Sequence, residues 1–135
     1  MYLLNWNKNV DNIDKVTVIN MFNENFKVFS EVKDYLFKQR NSFVIIKEGD
    51  SFYISKLGKR ISIDVASISE KIKYLFNSLK FEEITISKKE YISFSTGIHN
   101  AMDNRIVYSL KKGEKIGIFT ETIKKNWYYS FIGYT

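Results

Sequence analysis

Apolar residues change their spacing near residue 42, and that change divides the chain into regions of different secondary structure. Before it, Phe22, Phe26, Phe29, Val32 and Leu36 recur at the three- and four-residue intervals of one helix face. Lys27, Glu31, Asp34 and Lys38 fall off that face. Upstream, Val10, Ile13, Val16, Val18 and Ile19 fit a second helix, although Val16-Thr17-Val18-Ile19 equally fits a strand. From Ser42 the pattern is that of strands. Phe43–Lys47 and Ser51–Ser55 flank Glu48-Gly49-Asp50, a compact hairpin signal in which glycine supplies a positive φ. Lys56-Leu57-Gly58-Lys59 makes another turn into Arg60–Val65, where Ile61, Ile63 and Val65 alternate with polar residues.

A helix follows. Ser67-Ile68-Ser69-Glu70 has the spacing of a capping box, and Ile68, Ile72, Leu75, Phe76 and Leu79 form its apolar face, with Lys71, Lys73 and Asn77 pointing away. The remainder reads as strands over 82–87, 90–95, 105–110, 115–120 and 126–134, separated by polar turns and a longer loop from Thr96 to Asn104. Short connections imply antiparallel neighbours rather than crossovers. The pattern predicts a single α+β domain over residues 1–135, with a twisted, mainly antiparallel sheet of six to eight strands against two or three helices.

Composition narrows the chemistry. The 135 residues contain no cysteine, no proline and one histidine, His99, while 16% are aromatic. Thiolate nucleophiles, disulfides and cysteine-based metal sites are therefore excluded. No His-x-x-x-His, Glu-x-x-His or EF-hand spacing is present to hold a metal, and no glycine motif cradles a phosphate. No cofactor is expected. Glu82 and Glu83, adjacent on a strand, should point to opposite faces and share no site. The start of the chain lacks a secretory pattern and no run approaches about 20 apolar residues, so the expectation is a cytoplasmic protein with no membrane partner.

The formal charge of +6 invites a nucleic-acid reading, but only three of the 21 basic residues are arginine and no block of like charge stands out. His99, with Arg105 and Tyr108 close in sequence, offers a base, a cation and a phenol, the parts of a ribonuclease-like site. A lone loop histidine more commonly has no catalytic role. The segment Asn126–Tyr134 puts Trp127, Tyr129 and Phe131 on one face of a strand and Tyr128, Ser130, Ile132 and Tyr134 on the other. Large apolar groups on both faces fit either a strand covered on both sides or an aromatic recognition surface.

From Tyr91-Ile92-Ser93-Phe94-Ser95, through Arg105-Ile106-Val107-Tyr108-Ser109, to Asn126-Trp127-Tyr128-Tyr129, the last third of the chain resembles bacterial immunity proteins. These accompany polymorphic toxins, including those of contact-dependent growth inhibition. The resemblance implies a cytoplasmic, non-enzymatic inhibitor that occludes the active site of a cognate toxin. The expected partner is that toxin, and the net positive charge of this chain favours an acidic or neutral surface on it. Partner-binding residues are expected among Tyr108, Trp127, Tyr128 and Tyr134, with Arg105 and the loop around His99. Competing readings are a phage inhibitor of a host defence system, a small basic nucleic-acid-binding protein, and a ribonuclease toxin using His99, Arg105 and Tyr108.

Overall fold

The computed structural model describes residues 15–88, 90–99, 102–111 and 119–133. Among the described residues two helices come first, α1 (Lys15–Glu24) and α2 (Phe26–Leu36). The segment Val16–Ile19 is thus helical, not extended. The two helices meet at Asn25, whose side-chain amide donates to the Met21 carbonyl (2.9 Å) and whose Oδ1 accepts from the Tyr74 hydroxyl (2.6 Å). A side chain that competes for backbone groups in this way ends one helix and starts the next.

Strands β1 (Phe43–Glu48), β2 (Ser51–Lys56) and β3 (Lys59–Ile61) form the expected meander. Pairing in β3 stops at Ile61, four residues short of the predicted Arg60–Val65 strand. The Tyr35 hydroxyl on α2 donates to the Asp64 carbonyl (2.7 Å), drawing the chain off the sheet edge towards the helices. A 3-10 turn (Ala66–Ile68) then leads into α3 (Ser69–Asn77). The predicted capping box does not form: Ile68 occupies the cap position without a side-chain hydrogen bond. The Asp64 carboxylate instead accepts from the Ala66 amide (3.1 Å), one turn earlier. The apolar face of α3 is as expected, since Ile68, Ile72, Leu75, Phe76 and Leu79 are all buried.

The remaining strands are β4 (Glu83–Ser87), β5 (Tyr91–His99), β6 (Met102–Ser109), β7 (Phe119–Lys124) and β8 (Trp127–Gly133). The predicted loop from Thr96 to Asn104 is largely strand, because β5 and β6 continue as a long hairpin past a bulge between Ser95 and Ile98. Gly97 makes that bulge possible with φ +80. Of the strand expected over 115–120, residues 115–118 lie outside the described ones; residues 119 and 120 are strand, and β7 continues to Lys124.

All pairings are antiparallel, in the order β3-β2-β1-β4-β5-β6-β8-β7, so the described residues form one open eight-stranded sheet in an α+β fold. Alternation along each strand sends one set of side chains towards the helices. Phe43, Ile45, Ile54, Ile84, Ile86, Ile92, Phe94, Ile106, Trp127 and Tyr129 are buried on that face against Phe22, Phe29, Leu36, Ile72 and Phe76. Trp127 lies within 6.4 Å, ring centre to ring centre, of Phe22, Phe26, Phe29, Phe94 and Tyr108. This aromatic cluster joins α1 and α2 to the middle of the sheet; Phe26, Phe29 and Tyr108 meet Trp127 edge-on, Phe22 is tilted and Phe94 is stacked.

Phe29 touches Phe22, Phe81, Phe94 and Trp127 and is wholly buried. Phe29→Ala is expected to cost about 3–5 kcal/mol in urea unfolding. Val16→Ala, at a helical position 64% exposed, should change stability by less than about 0.5 kcal/mol.

Candidate functional site: a polar cleft on the second sheet face

All three described helices pack on one face of the sheet. The second face carries the alternate residues, and it is divided. Over β5, β6 and β8 much of it is buried, with Ser93, Val107, Ser109 and Ser130 at most 1% exposed. Over β2, β1 and β4 it is half-open: Tyr53, Ser55, Val44, Ile46, Glu83 and Thr85 are all partly exposed.

A cleft of about 560 Å³ opens where the two halves meet. Its floor is one cross-strand row, Ile46 opposite Glu83, Glu83 opposite Ser95, and Ser95 opposite Arg105. The β5–β6 hairpin supplies one wall through Gly97, Ile98 and Asp103; Lys47, Gly49 and Glu82 supply the other. Asp103 is almost completely buried and is the anchor of the site. Its Oδ1 accepts from the Ser95 hydroxyl (2.6 Å), while its Oδ2 accepts from Arg105 Nε (2.9 Å) and Nη2 (2.8 Å). The Ser95 hydroxyl in turn accepts from the Gly97 amide (3.0 Å). A buried carboxylate thus fixes the Arg105 guanidinium, whose side chain remains 22% exposed.

Glu82 and Glu83 both line this cleft, contrary to the expectation that they share no site. Glu82 precedes β4, so strict alternation does not govern its direction. Its carboxylate lies over Gly97, where a Cβ would sit 2.6 Å from Oε1. The glycine therefore does two things: it turns the bulge and leaves room for Glu82. The Glu83 carboxylate accepts from the Thr85 hydroxyl (3.3 Å). Further along the second face, Arg60 donates to Glu48 (2.6 Å) and stacks on Tyr53. The hydrogen bond from Arg60 holds the exposed Glu48 carboxyl below its usual value, and the same bond raises Arg60. The added stability from that pair is present above the ordinary glutamate range and is lost as pH falls through the lowered value.

The residues singled out by sequence separate. Arg105 is in the cleft. Tyr128 is on the same second face, opposite Val107 and half-buried. Trp127 is 3% exposed, at the centre of the aromatic cluster, and Tyr108 packs on Phe37 and Trp127 on the helix face. Neither presents its ring as an anchor on the second face, because their alternation parity points them to the core. His99 ends β5, with its side chain outside the description, and Tyr134 lies outside the described residues. The ribonuclease constellation is not assembled: Arg105 and Tyr108 are three residues apart on β6 and project from opposite faces. The signals that sequence reasoning missed are Ser95, Asp103 and Glu82, polar residues made neighbours by strand pairing.

Among the described residues no cluster of three or more His, Cys, Asp or Glu is placed to hold a metal ion, and no helix is long and apolar enough to cross a membrane. Asp103→Ala strips the partner from a guanidinium and a buried hydroxyl together. It is expected to destabilise the fold by about 2–3 kcal/mol in denaturant titration.

No protein-family model, curated protein or solved structure matches this chain.

Proposed function

We propose that this chain is a cytoplasmic protein-binding inhibitor of the immunity-protein kind, which neutralises a cognate toxin by seating part of it in the cleft. The observation that carries the reading is the cleft itself: an anchored polar floor beside an exposed isoleucine. Ile98, on the cleft wall, is 60% exposed. An apolar side chain held in water at the rim of a fixed polar cavity suits a binding surface, with an apolar anchor and polar groups setting orientation. The chain then acts by occlusion and breaks no bond.

The local charge refines the partner. Glu82, Glu83 and Asp103 face Lys47 and Arg105 in the cleft, an excess of carboxylate although the whole chain is basic. Asp103 and Arg105 largely neutralise one another. Glu83 then favours a projecting lysine or arginine of the partner rather than the acidic surface that net charge suggests.

The test is co-expression with the product of the neighbouring gene, followed by binding measurements on the purified pair. The chain should be harmless alone and should rescue growth. Ile98→Asp and Glu83→Lys should each weaken binding by about tenfold or more, with unchanged thermal unfolding. Rescue that persists undiminished in the double variant would reject the cleft as the docking surface. Failure to bind or neutralise any neighbouring product would reject the inhibitor role.

A further inference from the structure

Strand direction places every β-strand end at one of two ends of the sheet, and charge is sorted between them. The N-termini of β1, β3, β5 and β8 and the C-termini of β2, β4, β6 and β7 share one end. Among the described residues the connections there carry Lys38, Arg40, Lys56, Lys59, Lys88 and Lys111, against one carboxylate, Glu90, which pairs with Lys111 (3.5 Å). Lys124 and Lys125 in the β7–β8 turn extend the row. These connections are tied together: Lys56 Nζ reaches Asn41 Oδ1 (3.5 Å), and the Lys88 amide donates to the Ser42 hydroxyl (2.8 Å). The cleft and its carboxylates are at the opposite end.

The same basic end holds Leu57, 93% exposed, and Leu110, 56% exposed. Leu57 is also strained. With φ 52 at Leu57 and 79 at Gly58, the β2–β3 connection has the two positive values of a type I′ turn. Asparagine or glycine suits the first of those positions. A leucine there exposes an apolar side chain and adopts a backbone that L residues avoid. Folding gains nothing from either.

The geometry points to this end as a docking surface for an anionic lipid bilayer. Lysines beside a negatively charged interface each strengthen attachment by about fivefold, and exposed leucines among them enter the acyl boundary. A phosphodiester chain would use the cations but leave both leucines in water. An acidic protein surface would need two pockets, since β2 and β6 are four strand spacings apart, about 19 Å. A bilayer receives apolar tips at any spacing. The attachment is peripheral and separate from the cleft, so its failure leaves the inhibitor reading untouched.

The full chain is to be sedimented with vesicles of phosphatidylglycerol and phosphatidylcholine, and with phosphatidylcholine alone. Binding is expected only to the anionic vesicles, and it should disappear at high salt. Leu57→Asn should weaken it about tenfold or more while raising the thermal midpoint by about 2–5 °C, because it relieves the turn. That rise shows that the lost binding is not lost folding. Lys38→Gln combined with Lys88→Gln and Lys111→Gln should weaken binding about tenfold or more with the midpoint unchanged. The proposal is overturned by no sedimentation with anionic vesicles, by equal sedimentation with neutral ones, or by full binding in Leu57→Asn. Binding of a mixed oligonucleotide or an acidic protein with no binding to vesicles overturns it as well.

Discussion

The burial of Trp127 among five aromatic rings is the constraint on which the rest of the molecule depends. Phe22 and Phe26 come from the two sides of the α1–α2 junction, Phe29 from α2, Phe94 from β5 and Tyr108 from β6. Once Trp127 points inward, Tyr129 must as well, and Tyr128 and Ser130 must point outward. Pairing carries that choice across the sheet: Tyr108 faces inward opposite Trp127, so Arg105 faces outward opposite Ser130. A slip of one residue would put Arg105 in the aromatic cluster, at the cost of a desolvated charge. The core thereby determines which polar groups reach the second face, and the cleft is a consequence of packing on the other side.

Local periodicity was enough for elements whose burial has one period. The α3 face and the β1–β2 hairpin were readable because apolar spacing and turn residues agreed. The aromatic segment after Asn126 was readable as far as its two faces, and its covered inner face follows from pairing with β6 on one side and β7 on the other. The stretch from Thr96 to Asn104 was not readable as strand, because its polar residues bond to one another. The Thr96 hydroxyl donates to the Asn104 carbonyl (3.1 Å), and Ser95 bonds Asp103 (2.6 Å), so burial there leaves no apolar signature. Arg105 was visible as a lone cation in a strand, but its partners were not. Asp103 is two residues before it and Ser95 ten, and only the bulge at Gly97 gives the register that brings all three together.

Charge shows the same gap between sequence and space. Lysines at Lys38, Lys56, Lys88 and Lys111 are far apart along the chain and form no basic block. In an antiparallel sheet, alternate connections return to the same end, so residues separated by a hairpin's length become neighbours. The net value of +6 is therefore a poor guide to what either end attracts. At the cleft, Glu82, Glu83 and Asp103 outnumber Lys47 and Arg105, whereas among the described residues Glu90 is alone among the cations of the far-end connections. The Debye length at physiological salt is about 8 Å. An approaching partner therefore responds to the end it meets, not to the sum. A chain polarised in this way can hold a basic group of one partner at the cleft while its other end faces a negative surface, and neither contact weakens the other by direct repulsion.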